Sequence, residues 1–245
     1  MKKNNTFTIL TYNIHKGKTP WGTLIRLEEM KSHFIRLKTD LIFLQETATL
    51  YKENKAHSIL EQFSDSLWKN FAYGKNASYT EGDHGNAILS QYPILTQMNH
   101  EVSAHWIEKR GALYNVINIP EKDFKINLFC VHLGLTDSWR RKQVNKITQW
   151  VLKEIPSNEP LLIVGDFNDW NKKLSPLLLD TLNLNEAFLT LRNEHAKTYP
   201  SFFPFLCLDR IYYRGLKLLD AQCLSEDPWK QWSDHLPLTA TFEIP

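Results

Sequence analysis

What the 245-residue sequence lacks narrows the problem first. Its longest uncharged apolar stretch, Thr198 to Leu208, is about a dozen residues with two prolines, whereas a bilayer-crossing helix needs about 20 apolar residues. Lys2 and Lys3 precede TFTILTYNIHKG, where polar residues break the apolar run too often for a signal-peptide core. Neither membrane insertion nor secretion is expected. No charge of one sign dominates: 29 Lys and Arg against 27 Asp and Glu leave +2, too little for a broadly basic nucleic-acid surface, so any attraction for phosphate must be local. Cysteine is scarce, and Cys130, Cys207 and Cys223 are isolated in apolar settings rather than in CxxC pairs. Buried thiols in a reducing compartment, the cytoplasm, are the reading. Repeats, low-complexity tracts and Ser/Gly/Pro-rich linkers are absent, so residues 1–245 read as one α/β domain and as a monomer. With 42% hydrophobic and 23% charged residues, no segment has the composition of disorder.

What is present is mostly β. Apolar, β-branched runs occupy Thr6–Tyr12, Leu41–Gln45, Asn86–Ser90, Ala112–Ile119, Phe124–Val131, Leu161–Gly165, Leu208–Tyr213 and Leu236–Glu243. Helical patterns fall between them at Gly22–Lys38, Asn54–Asn70, Ser138–Glu154 and Asn171–Leu182. In the third, Val144, Ile147 and Val151 make one stripe behind the cap candidates Thr136 and Asp137. This mixture predicts an α/β sandwich, two sheets covered by helices.

Polar residues recur where the strands stop: Asn13 after TILTY, Glu46 after LIFLQ, His132 after LFCV, Asp166 and Asn168 after LLIVG. Strand ends are where a rigid sheet presents side chains to a cleft, so the repetition points to one converging site.

The segments LTYNIHKG, LIFLQE, GNAILSQYPI, VHLGL, IVGDFND, LDRIYYRG and SDHLPL follow one another in the order of the endonuclease/exonuclease/phosphatase superfamily, which the chain resembles from about Thr8 to Ile244. LDRIYYRG, with FPFLCLD before it, is similar to a bacterial, poorly characterised branch. The resemblance implies a four-layered α/β sandwich with two central mixed β-sheets flanked by helices. It also implies hydrolysis of a phosphate ester with Mg²⁺, for which Mn²⁺ substitutes, by in-line attack of water.

On that resemblance Glu46 anchors the metal, since a hard cation takes few protein oxygens and leaves the rest to water and substrate. Asn13 adds an amide oxygen, and Asp234 serves the same or a second metal position. Asp166 orients and activates water, and Asn168 donates to a phosphoryl oxygen as charge builds. His132 donates to the phosphate or to the leaving oxygen. Asp209 pairs with His235 and fixes its tautomer, with His235 left open between general base and electrostatic stabiliser. Arg110 faces the substrate phosphate, where a planar guanidinium suits two oxygens.

Weaker candidates remain. Arg140, Arg141 and Lys142 read as a solvated helix face. One of Arg210 and Arg214 is a candidate to face the cleft, Glu81 and Asp83 are candidates to orient His132, and Asp169 reads either as a turn residue or as a support for the groups that touch substrate. Gly85 and Asn86 read as loop and strand-entry residues. The YPSFFPFL run invites base stacking or contact with lipid, but packing is the favoured reading. The substrate class stays open among nucleic acid, phospholipid and inositol phosphate. A phosphodiesterase is the first reading, a phosphomonoesterase the second and an inactive phosphate-binding module the third.

Overall fold

The computed structural model describes residues 5–23, 27–52, 55–63, 67–79 and 82–245. In chain order the elements are β1 (Thr6–Asn13), α1 (Leu27–Arg36), β2 (Leu41–Lys52), β3 (Lys55–Ser58), α2 (Ile59–Phe63), β4 (Asn70–Tyr79), β5 (Gly82–Ser90), β6 (Ile94–Glu101), β7 (Gly111–Ile119), β8 (Phe124–His132), α3 (Asp137–Glu154), β9 (Leu161–Asp166), α4 (Ser175–Leu182), β10 (Asn185–Glu186), α5 (Ala187–Arg192), β11 (Asp209–Arg214), β12 (Lys217–Cys223), α6 (Trp229–Trp232) and β13 (Leu238–Glu243). One sheet runs β12-β13-β1-β2-β5-β4 with β3 paired to β2, and the other β10-β11-β9-β8-β7-β6.

Each sheet contains one parallel pair, β1 with β2 and β8 with β9. Parallel neighbours need a long crossover, and the chain supplies one through α1 and one through α3. Because each sheet is covered on both faces, its central strands are apolar on both. Phe7, Ile9, Phe43, Leu128, Leu162 and Val164 point between the sheets into one core. The alternate residues Leu10, Ile42 and Leu44 meet Met30, Phe34 and Trp229 on one outer face. Phe129, Val131 and Ile163 meet Val144, Ile147, Val151 and Leu178 on the other. The four-layered sandwich is therefore the period-two alternation of a few strands, read on both sides. Helix α3 carries the stripe and the cap foreseen for it, with Thr136 Oγ1 accepting from Trp139 N at 3.4 Å.

Several expectations change. The Asn54–Asn70 pattern is not one helix: Lys55–Ser58 pairs with Thr49–Lys52 as a hairpin, and among the described residues of this stretch only Ile59–Phe63 is helical. Local strand pairing overrides a helix-compatible composition there. β2 does not stop at Gln45 but runs on to Lys52 through a register shift between Leu44 and Thr47. Gly85 lies inside β5 rather than in a loop, and Asn86, expected at the strand's entry, lies well within it, because the strand begins at Gly82. The fully buried Asn86 donates Nδ2 to Gly111 O and Cys130 O, tying one sheet to the other.

Gly165 shows how tight the centre is. It adopts φ 139°, and a Cβ there would stand 2.1 Å from the carbonyl oxygen of Val131 on the neighbouring strand. Gly165→Ala is therefore expected to lower stability in urea denaturation by about 2 kcal/mol or more, from combined strain and overlap. A wild-type unfolding curve would show that the close approach is not needed.

Candidate active site

The site forms where β8, β9 and β11 lie side by side. Their register sets His132 opposite Asp166 and Asp166 opposite Asp209, so three chemical groups occupy one row across the sheet. The facing sheet contributes Asn13 from the end of β1 and His235 from the segment before β13.

Asp166 is the meeting point. It is 1% exposed, and its Oδ1 accepts from Asn168 N at 2.9 Å. Its Oδ2 accepts from Asn13 Nδ2 at 3.1 Å and lies 3.5 Å from His132 Nε2 and 3.8 Å from His235 Nε2. Burial and the Asp209 charge push its carboxyl up to about 6, against the opposing pull of His235, Asn168 and Asn13. It is still largely ionised at neutral pH. His235 donates Nδ1–H to Asp209 Oδ2 at 2.9 Å. Burial pushes this imidazole down, but Asp209, Asp166 and Asp234 outweigh it and hold the group up at about 10. His132 goes the other way, held well below the ordinary histidine value by burial first and then by the charges of Arg110, His235, His84 and Lys16. The two histidines thus differ in charge at neutral pH, His235 cationic and His132 neutral.

Glu46 is not at a strand end. Gln45 and Glu46 together face Asn86 across the register shift of β2, a bulge, with Glu46 at φ 53°. A left-handed Glu costs about 1 kcal/mol or more, and the bulge turns its half-buried carboxylate toward the cleft, where Oε1 accepts from Asn13 Nδ2 at 3.3 Å. Asn168 is likewise left-handed at φ 49° and donates Nδ2 to Leu133 O at 2.9 Å. Asn13 offers nitrogen, not oxygen, to both carboxylates, while its Oδ1 caps a turn by accepting from His15 N at 3.1 Å.

These groups open into a cleft of about 960 Å³ lined by Glu46, Arg110, His132, Asp166, Asn168, Asp234 and His235. Asn13 and Asp209 sit beneath and support it. Asp234 is fixed through its backbone, whose oxygen accepts from Ser201 N at 2.7 Å. Arg110 is engaged by Glu108, Nη2 to Oε1 at 2.6 Å. Lys16, His84 and Tyr199 also line the cleft, and Tyr199 lies with its ring 5.0 Å from that of His235. Sequence reading left all three out. Lys16 lies within LTYNIHKG and His84 directly precedes GNAILSQYPI, and those segments are the available signal, whereas Tyr199 is hidden in an aromatic run.

Among the weaker candidates, Arg140 is fully buried, not solvated. It donates to the carbonyls of Leu135 at 2.6 Å and Gly134 at 3.5 Å and lies 4.5 Å over the Trp170 ring. It braces the loop after His132. Neither Arg210 nor Arg214 faces the cleft. Arg210 donates to the carbonyls of Asp209 and Asp169, and Arg214 to those of Leu182, Pro156 and Glu159. Asp169 is the turn residue expected, accepting from Lys173 N and Leu174 N. Asp83 is engaged by Tyr73 and Lys75, and Glu81 lies outside the described residues.

The donor chemistry fits a hard divalent cation. The carboxylates of Glu46 and Asp234 line the cleft and no cysteine does, an oxygen-donor set of the kind such a cation takes. Ligand atoms of Asp166, Asp209 and His235 also cluster within 4.8 Å. Yet His235 donates to Asp209 and is held as a cation, so it has no lone pair to offer, and that trio is an ion-pair network.

Comparison with known proteins agrees with the architecture. The Escherichia coli K12 protein YbhP is 39% identical over 246 residues, covering 98% of this chain and 97% of its own. The crystal structure of endonuclease/exonuclease/phosphatase from Beutenbergia cavernae superposes with a TM-score of 0.78 at 13% identity, covering 97% of this chain and 71% of that one. That of a Bacteroides vulgatus endonuclease/exonuclease/phosphatase gives 0.77 at 17%, covering 98% and 99%. The sequence profile of the Endonuclease/Exonuclease/phosphatase family matches residues 10–235, nearly the whole sandwich, and the chain belongs to that family.

Proposed function

We propose that this chain is a Mg²⁺-dependent hydrolase of phosphate esters that acts on diesters, with water as the attacking group. The observation that carries the reading is the buried Asp166 carboxylate, faced by Asn13, Asn168, a neutral His132 and a cationic His235 at the floor of an open cleft. Glu46, Asp234 and Asn13 would hold the cation. For Asn13 this requires its amide to turn over, because its oxygen serves His15 in the present arrangement. When bound, Mg²⁺ or Mn²⁺ supplies charge neutralisation at a phosphoryl oxygen and orientation of the ester.

The protein's own groups divide the remaining work. Asp166, ionised at neutral pH, takes the proton of the attacking water. Asn168 has one amide hydrogen committed to Leu133 and the other available for a phosphoryl oxygen. His132, neutral, donates to the phosphate or the leaving oxygen. His235 is held cationic by Asp209, which disfavours it as a base and suits it to stabilising negative charge. Arg110 reaches the phosphate with the N–H groups that Glu108 leaves over. Charge in the cleft lining is nearly balanced, Glu46, Glu101, Glu108, Asp166 and Asp234 facing Lys16, Lys109, Arg110 and His235, so the diester is taken as the first reading and the comparison of ester types below decides it. The reading takes the chain as one domain working as a cytoplasmic monomer. Its cysteines are free, as suits a reducing compartment.

Hydrolysis of bis(p-nitrophenyl) phosphate is expected to need Mg²⁺ or Mn²⁺, to stop with chelator and to fall at least about a hundredfold in Asp166→Asn. Faster turnover of p-nitrophenyl phosphate than of the diester would overturn the diester assignment. Asp209→Asn removes the carboxylate that most favours the imidazolium. The His235 titration followed by NMR should then move to lower pH by about one unit or more. An unmoved titration would show that Asp209 does not set the charge of His235.

A further inference from the structure

The favoured packing reading of the YPSFFPFL run fails at its tip. Phe203 is 82% exposed and Phe205 64%, and Trp21, from the connection between β1 and α1, is 80% exposed. The Trp21 ring lies 5.9 Å from that of Phe202, so the two segments form one aromatic surface. The tip is braced. Leu206 N donates to Tyr199 O at 2.9 Å, Phe205 N to the same oxygen at 3.0 Å, and Phe203 N to Pro200 O at 3.1 Å. Ser201 ties the turn down through its N–H to Asp234 O at 2.7 Å and its Oγ to Lys230 O at 3.0 Å. A turn this well bonded has the means to bury its phenylalanines and instead holds them outward. It is also continuous with the catalytic cleft, since Tyr199 and Leu206 line that cleft from the same turn.

Lysines flank the surface: residues 14–23 carry Lys16 and Lys18 and residues 195–208 carry Lys197, with no carboxylate within either segment, while Ser201 of the turn bonds the backbone of both Lys230 and Asp234. Lys16, Lys18 and Lys197 are exposed. Projecting aromatics flanked by exposed lysines match the boundary of a bilayer, where rings enter the headgroup region and lysines meet anionic lipid. Single-stranded nucleic acid is the weaker match. Base stacking spaces its rings along a basic groove, whereas these rings cluster on one projecting turn outside the cleft.

We propose that Trp21, Phe202, Phe203 and Phe205 form an interfacial anchor that seats the mouth of the cleft on an anionic lipid bilayer. The consequence for substrate, an ester met at a membrane surface, rests on the hydrolase reading above; the docking itself does not.

The test is sedimentation of the full chain with phosphatidylcholine vesicles, with and without phosphatidylglycerol, alongside Phe203→Ser/Phe205→Ser and Trp21→Ser. Wild-type protein is expected to sediment with the phosphatidylglycerol vesicles, more weakly at high salt, and the variants to bind about tenfold less. Unchanged hydrolysis of the soluble diester by the variants, whose substituted side chains lie outside the cleft lining, shows that they remain folded. Absence of vesicle binding by wild type, or equal binding by the variants, overturns the proposal. So does binding of oligo(dT) that the variants lose while vesicles are ignored. If wild type binds vesicles yet hydrolyses no soluble diester, the anchor stands and the hydrolase reading fails.

Discussion

One buried carboxylate organises this protein. Asp166 ends a central strand at the point where the apolar core between the sheets gives way to the cleft, and it accepts contacts from both sheets at once. An ionised group 1% exposed is tolerable only if its oxygens are satisfied. Asn13, Asn168 and the two histidines are thus as much a condition of folding as of chemistry. Gly165 permits the strand to approach its neighbour, and the left-handed backbone of Asn168 returns its N–H to the carboxylate. The same arrangement separates the two histidines: three carboxylates keep a proton on His235, whereas burial, and after it the neighbouring cations, remove one from His132.

Much of this was legible in the sequence, and the exceptions share causes. Central strands declared themselves because both faces are buried, making them continuous apolar runs. β4, β6 and β12 went unread because they lie at or beside sheet edges: Ile94–Glu101 is almost wholly exposed along its length, so no apolar pattern marks it. The cleft residues were found by type and position, but the geometry of Glu46 was not, since a bulge depends on what pairs with the strand rather than on the strand's own residues. Arg140 and Arg210 were misjudged for a related reason. A buried arginine bonded to carbonyls has the same local sequence as a solvated one, and only the fold reveals which loops it braces. Exposure of Phe203 and Phe205 reverses the usual prior for phenylalanine, and the turn that imposes it closes through backbone bonds that composition does not report.

The account assigns separable tasks to two carboxylates that touch the same amide: Glu46 holds the cation, and Asp166 handles water. The rate of diester hydrolysis as a function of Mg²⁺ concentration tests this division most directly. In Glu46→Gln the half-maximal Mg²⁺ concentration should rise, with part of the rate returning at saturation. In Asp166→Asn the saturated rate should collapse while the Mg²⁺ requirement stays near that of wild type. The reverse pattern, or an identical response in both variants, would contradict the account.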